Sequence, residues 1–248
     1  MLFFKKPKIT LAELIPDNYV DIHSHLLPGI DDGATDENHS LLLVNRLREL
    51  GFSQFITTPH VLPGVYNNTT EDIKDKEKLI ASFYKDQGVL NPFSAAAEYL
   101  MDNVFLDRLA TDPLLTLKDN HVLVEMSYIN PPLQLKEIIF EIQMQGYKPV
   151  LAHPERYLFY HKAFDEYQKL KKAGCLFQLN LLSVTGYYGK AVLEIAKKLL
   201  DKNLIDFTGS DTHHERHIEF YKQSVRLKET EMIAFKNALQ KNALFKLK

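Results

Sequence analysis

Seven short, apolar, β-rich runs are spaced along this 248-residue chain, at positions 19–23, 55–58, 93–97, 122–126, 149–152, 176–180 and 205–208. Most lack the polar alternation of a half-exposed strand, the pattern expected of strands covered on both faces, as in a parallel sheet under helices. Helical periodicity separates most of them. It covers 35–50, opened by Thr35 and Asp36 as caps and carrying Leu43, Leu47 and Leu50, then 133–145, 163–173 and 191–203. A long helical pattern runs from His217 to the C-terminus. Four helix-to-strand joints repeat one grammar, a glycine followed by an apolar residue: Gly51-Phe52, Gly88-Val89, Gly146-Tyr147 and Gly174-Cys175. Glycine past a helix end takes the left-handed conformation that stops the helix. No Pro/Ser/Gly-rich linker divides the chain. One α/β domain of seven βα units is expected, a closed or nearly closed barrel, with a doubly wound open sheet as the alternative.

In a barrel of this kind, the loops that follow the strands meet at one mouth, and that is where active sites lie. Residues able to bind metal fall at six of the seven strand ends. The first run leads into Asp21-Ile22-His23-Ser24-His25, and the spacing of His23 and His25 puts both imidazoles on one face of a strand. Later ends carry His60, Glu98, Glu125 and His153, and the seventh carries Asp211 and His213 in Gly209-Ser210-Asp211-Thr212-His213. With Asp32 from the loop Pro28-Gly29-Ile30-Asp31-Asp32-Gly33, the inventory is five histidines and four carboxylates. Nine ligands exceed one ion's needs, since a catalytic zinc takes three protein ligands and keeps a place open. Mixed imidazole and carboxylate ligands suit zinc, manganese or iron, and two or three ions are expected. Three divalent ions would outweigh the four carboxylates, so the pocket would favour a dianionic substrate. Arg156, three residues past His153, adds a guanidinium able to fork a phosphate on the same rim.

Composition excludes several other roles. Hydrophobic content of 45% and charged content of 25% are those of an ordinary globular protein. A formal net charge of −2 gives no electrostatic footprint for nucleic acid, and Lys5-Lys6-Pro7-Lys8 is the one basic tract. The single cysteine, Cys175, rules out a disulfide framework, fits a reducing cytoplasm, and reads as a core residue within an apolar run. Met1-Leu2-Phe3-Phe4 is too short for a signal segment, and no run reaches the ~20 apolar residues of a transmembrane helix. A soluble, cytoplasmic protein is expected, with an N-terminus free to touch a membrane or a partner.

The ordered set Asp21-Ile22-His23-Ser24-His25, Thr58-Pro59-His60, Glu98, Glu125, His153-Pro154-Glu155-Arg156 and Gly209-Ser210-Asp211-Thr212-His213 resembles the polymerase and histidinol phosphatase (PHP) family. Leu27-Pro28-Gly29-Ile30-Asp31-Asp32-Gly33 and Asn180 resemble its bacterial tyrosine-protein phosphatase branch, associated with capsular polysaccharide synthesis. The resemblance covers roughly residues 19–230. It implies a distorted (β/α)7 TIM-like barrel over 19–248, preceded by an N-terminal extension over 1–18 whose role is open. It implies three divalent ions, Mn2+ first, with Fe or Zn as alternatives. One ion would take His23, His25, Glu98 and Asp211; a second Glu98, Glu125 and His153; a third Asp32, His60 and His213, with Asp31 an adjacent competitor for Asp32.

The implied activity is that of a metal-dependent phosphoric monoester hydrolase of the protein-tyrosine-phosphatase type. Its substrate would be phosphotyrosine in proteins, a bacterial tyrosine kinase foremost, in the control of capsular or exopolysaccharide synthesis. A hydroxide, formed from a water whose pKa the metals would lower, would attack phosphorus in line, with Arg156, Asp211 and His213 as catalytic residues. Arg156, Arg216 and Tyr187, the last beside Tyr188, are the expected substrate-binding residues; Tyr66 and Tyr99 are weaker candidates. No Cys-x5-Arg motif is present, so no cysteine nucleophile is expected. A small-molecule phosphomonoesterase, such as a histidinol-phosphate phosphatase, is the alternative. A non-catalytic scaffold binding through 1–18 or the C-terminal helix is the reading from another class. His39, His121 and His161 are expected to be structural, and His214 and His217 to support the site at most.

Overall fold

The computed structural model describes residues 8–247; Met1–Phe4, most of the basic tract and Lys248 lie outside the described residues. The strands are β1 (Tyr19–Asp21), β2 (Phe52–Thr57), β3 (His60–Val61), β4 (Phe93–Ala95), β5 (Glu98–Leu100), β6 (His121–Glu125), β7 (Lys148–Ala152), β8 (Leu176–Asn180) and β9 (Phe207–Gly209). Between and after them come α1 (Glu37–Glu49), α2 (Thr70–Asp86), α3 (Asn103–Thr111), α4 (Leu135–Met144), α5 (Asp165–Lys172), α6 (Lys190–Asp201), α7 (Glu215–Glu219) and α8 (Glu229–Lys241). All strand pairings between these elements are parallel, in the orders β1-β2-β4 and β3-β5-β6-β7-β8-β9.

The two sheets are one ring interrupted twice. Strands β2 and β3 are halves of a single strand broken at Thr58-Pro59, where proline has no N–H to give the ladder. Strands β4 and β5 are likewise split at Ala96-Ala97, and hydrogen bonds from Ala96 N to Thr57 O (2.9 Å) and from Glu98 N to Pro59 O (3.0 Å) carry the pairing across both breaks. Seven strand units therefore follow one another in chain order, as the repeat of βα units predicts. The ring closes at the mouth: Asp211 N donates to His23 O (2.7 Å), His25 N donates to Thr212 O (3.0 Å), and Ser24 bridges Thr212 in parallel.

At the opposite end a side chain replaces that pairing. Asn242 Nδ2 donates to Val20 O (2.9 Å) and Thr208 O (2.7 Å), joining β1 to β9. The terminal turn Asn242–Phe245 then seats Phe245 among Val20, Ile56, Leu123, Val150 and Phe207, the barrel's interior core. A larger core fills the space between strands and helices. The four glycine joints all adopt left-handed backbone, φ from +75° to +99°.

Three features depart from the sequence expectation. The first strand ends at Asp21, so His23 and His25 stand on an extended tail beyond the ladder. Helices α2, with its Thr69/Asp72 capping box and its end at the Gly88 joint, and α3 add to the four helical segments that periodicity marks. The C-terminal helix is not continuous: α7 and a turn at Phe220–Lys222 lead into extended backbone before α8 begins. The reason is a distant partner, because Leu11 N donates to Gln223 O and Val225 N to Ile9 O, each at 3.0 Å. The described part of the N-terminal extension is thus stitched to the segment that precedes α8, and Leu11 and Ile15 are buried in the core. No helix among the described residues is long and apolar enough to cross a membrane.

Candidate metal centre

Glycines and a buried aspartate bring the first and last strand ends into contact. A Cβ on Gly209 would come within 2.6 Å of His23 Cβ, and one on Gly33 within 2.1 Å of His25 O. Asp21 accepts from Ser210 N (2.9 Å) and Ser210 Oγ (2.6 Å), locking the Gly209-Ser210-Asp211 turn to β1. Burial pushes the Asp21 carboxyl up to about 6 against the pull of those two bonds. Two residues of the expected ligand set hold left-handed backbone although neither is glycine: His153, φ +35°, and Asp211, φ +49°. Such conformations cost on the order of 1–3 kcal/mol and gather where geometry matters more than comfort.

The nine expected ligands converge. His23 Nε2 lies 3.2 Å from Glu98 Oε2 and 3.3 Å from Asp211 Oδ1; His25 Nε2 lies 3.6 Å and 3.3 Å from the same two atoms. His153 Nε2 approaches Glu98 Oε1 at 3.0 Å. His60 faces two ways, with Nδ1 2.9 Å from Glu125 Oε1 and Nε2 3.6 Å from Asp32 Oδ1, which His213 Nε2 approaches at 3.4 Å. Four overlapping groups result, and within each the ligand atoms lie no more than 4.8 Å apart: His23, His25 and Asp211; His23, Glu98 and His153; His60, Glu98 and Glu125; and His25, Asp32, His60 and His213. Glu125 thus groups with His60 rather than with His153, which differs from the carried-over second trio.

The donor set fits cations. Two ligand atoms about 2.1 Å from one ion at a tetrahedral angle lie about 3.4 Å from each other, the range of the His23, His25 and Asp211 contacts. Glu98 Oε2 is buried without a hydrogen-bond partner although three imidazole nitrogens surround it. Burial works against its charge, yet His23 and His60 hold the Glu98 carboxyl well below the usual range. Glu125 goes the other way, raised by burial and by the Glu98 charge. Burial drives His153 down to about 4, so its imidazole is neutral and has one nitrogen lone pair to offer a Lewis acid.

Neighbouring polar groups aim the imidazoles. His23 Nδ1 donates to Gln178 Oε1 (2.7 Å), and His25 Nδ1 donates to Asp31 Oδ2 (2.8 Å). Asp31 also accepts from Gly33 N (2.9 Å) and His60 N (3.1 Å), and its side chain is fully buried. It is occupied as an orienting group, whereas Asp32 is half-exposed at the mouth beside His60 and His213. His213 N donates to His217 Nδ1 (3.2 Å), which gives His217 a supporting place; His214 packs on His217 with ring centroids 4.0 Å apart. Outer partners of this sort fix ring orientation and tautomer. Gln178 was invisible in the sequence, because a glutamine inside an apolar run has no spacing signal.

Arg156 closes one side of the rim. Its Nη1 donates to Asp211 Oδ2 at 2.6 Å, and Asn180 Nδ2 reaches the same oxygen at 2.8 Å. The arginine does not pair with Glu155, which is wholly buried and accepts from Ser183 Oγ (2.6 Å) and Asn180 N (3.0 Å). Its guanidinium carbon sits 4.3 Å from the ring centroid of Tyr188 and 4.9 Å from that of Tyr128, a residue not singled out from sequence. Tyr187 packs instead on Phe220 and His217, with centroids 4.6 and 5.1 Å away. Arg216 is exposed on α7. Tyr66 stacks on His60 (5.8 Å), and Tyr99 is a core residue whose hydroxyl accepts from Leu115 N (2.9 Å).

The other histidines are structural. His39 bonds Thr35 and Glu215, His121 lies against Phe207 and Phe245 at the far end of the barrel, and His161 bonds Glu155 O. Cys175 is 1% exposed, and burial pushes its thiol up to about 12. Iodoacetamide at neutral pH is therefore expected to leave the folded protein unlabelled and its activity intact, with labelling only in denaturant. Labelling of the native protein, read by mass spectrometry, with parallel loss of activity would contradict this.

Fold and site together define a class: a seven-unit parallel α/β barrel whose strand ends gather a histidine- and carboxylate-rich cluster able to hold metal. The chain belongs to the CpsB/CapC family of capsular polysaccharide synthesis, whose sequence pattern matches residues 19–234. It is 30% identical over 206 residues to the tyrosine-protein phosphatase YwqE of Bacillus subtilis, covering 82% of this chain and 81% of that one. It is 28% identical over 197 residues to the putative tyrosine-protein phosphatase CapC of Staphylococcus aureus, covering 78% and 76%. A crystal structure from work on YwqE of B. subtilis and CpsB of Streptococcus pneumoniae, described as unique metal-dependent tyrosine phosphatases, is similar with a TM-score of 0.76. It is 25% identical and covers 90% of this chain and 94% of that one.

Proposed function

We propose that this protein is a metal-dependent protein-tyrosine phosphatase that hydrolyses phosphotyrosine in bacterial proteins, a tyrosine kinase foremost, in the control of capsular or exopolysaccharide synthesis. The observation that carries the reading is the convergence of five imidazoles and four carboxylates on one mouth, with the Arg156 guanidinium anchored to one of them. His23, His25 and Asp211 would serve one ion, with Glu98 shared between the pairs His23/His153 and His60/Glu125 and so placed to serve a second, and Asp32, His60 and His213 would hold a third. Manganese is the metal we propose, in a reducing cytoplasm where the single buried cysteine needs no partner. Metal held by these residues would supply Lewis acidity toward the phosphoryl oxygens and would lower the pKa of water there.

The chain's own residues do the rest. Arg156 presents the part of its fork not used by Asp211 to the phosphoryl oxygens, and offsets charge spread over them in the transition state. Asn180 and Arg156 hold Asp211 Oδ2, leaving Oδ1 toward His23 and His25. Both nitrogens of His213 are engaged, Nδ1 with Asp211 O at 2.9 Å and Nε2 beside Asp32, which favours a ligand's part over a proton carrier's. A phenolate, with a conjugate pKa of about 10, leaves with little help.

The test is hydrolysis of a phosphotyrosyl peptide by protein loaded with Mn2+, before and after exhaustive chelation. Turnover that needs the metal is expected, and turnover that persists in stripped protein would refute the reading. Histidinol phosphate serves as the competing substrate, and a higher kcat/KM for it would shift the assignment to a small-molecule phosphomonoesterase.

A further inference from the structure

We infer that Tyr128 recognises the aromatic ring of the substrate and sets the preference for aryl over alkyl phosphates; the inference rests on the phosphatase reading above. Tyr128 stands three residues past Glu125, on the segment leading from β6 to α4. Its ring packs over the Arg156 guanidinium at 4.9 Å, while Tyr188 covers that guanidinium at 4.3 Å. The same ring stacks on His153, with centroids 5.7 Å and planes 24° apart, and its hydroxyl lies 3.4 Å from His153 Nε2. It therefore touches both the group that would fork the phosphate and an imidazole of the centre.

Exposure separates it from its neighbours. Tyr128 is 45% exposed, while Tyr157, whose ring lies 5.9 Å from it, is wholly buried. Tyr188 is partly buried, and its hydroxyl is bound by Asn180 Nδ2 at 2.9 Å. Tyr187 turns toward Phe220. Of the rings gathered round Arg156, Tyr128 presents the most open surface. A phosphate held by Arg156 carries its ester group within reach of that surface, where a flat ring finds an offset or edge contact that an alkyl chain matches poorly. Ile129, the next residue, is exposed as well.

An aromatic pair of this kind is worth about a three- to tenfold difference in binding. Phosphonates carry no cleavable ester, so differences between leaving groups drop out of the comparison. The experiment measures inhibition of the metal-loaded protein by benzylphosphonate, propylphosphonate and inorganic phosphate, for wild type, Tyr128→Phe and Tyr128→Ser. Wild type and Tyr128→Phe are expected to prefer benzylphosphonate. In Tyr128→Ser that inhibitor should weaken about three- to tenfold, with propylphosphonate and phosphate unchanged. Equal weakening of all three would mean that the ring only props Arg156, and an unaltered benzyl preference would mean that it plays no part; either overturns the inference. Phosphotyrosyl turnover by wild type is measured alongside. Its absence would bring down the phosphatase reading itself, whereas its presence with either contrary inhibition pattern would sink the ring assignment alone.

Discussion

Asp211→Asn is expected to lower kcat/KM for aryl phosphates by about a thousandfold while leaving the fold intact. Asparagine keeps the volume and one acceptor, so its side chain retains a partner for Arg156 or Asn180, both of which reach Oδ2. The negative charge that His23 and His25 share through Oδ1 is lost. The left-handed backbone at this position, φ +49°, is one that asparagine tolerates better than most residues. Thermal unfolding measured beside the kinetics separates the loss of a ligand from the loss of structure. Near-wild-type turnover in a folded Asp211→Asn protein would remove this residue from the centre.

Arg156→Met should cost about a hundredfold in kcat/KM, divided between a raised KM and a lowered kcat. Two charge-assisted hydrogen bonds to a phosphoryl group disappear, and methionine fills the space between Tyr128 and Tyr188 without a charge. The substitution also frees Asp211 Oδ2 from its shortest partner, at 2.6 Å, so part of the kcat loss comes through the centre. Arg156→Lys is the informative companion: it keeps a point charge but not a planar fork, and it should recover phosphate binding more than turnover. Product inhibition by inorganic phosphate reads the binding half directly. If phosphate bound Arg156→Met as tightly as wild type, the fork would not be where the substrate phosphate sits.

The convergence of these side chains was readable from sequence because a parallel barrel converts chain order into spatial proximity. His23, His60, Glu98, Glu125, His153 and Asp211 are scattered along the chain, yet each follows an apolar run, and the ring brings those ends together. The choice between Asp31 and Asp32 was open for a physical reason. Neighbouring aspartates in one loop have equal chemistry, and only packing turns one toward His25 and the other toward the mouth. Tyr128 and Gln178 escaped notice because their roles come from contacts with Arg156 and His23, made by residues far away in sequence. The break in the C-terminal helix has the same origin. Helical periodicity after His217 is genuine, but Gln223 and Val225 pair with Ile9 and Leu11, and no local signal announces a partner at the other end of the chain.

The centre itself is tested most directly by metal content. Protein purified without chelator, reloaded with Mn2+ and desalted, is analysed for metal per chain alongside its turnover of a phosphotyrosyl peptide. Close to three equivalents are expected in active protein, with loss of activity as they are removed. Unfolding temperature should fall by several degrees as well, since an ion held at 100 times its dissociation constant adds about 2.7 kcal/mol to stability. Full turnover in protein stripped to no metal would contradict this.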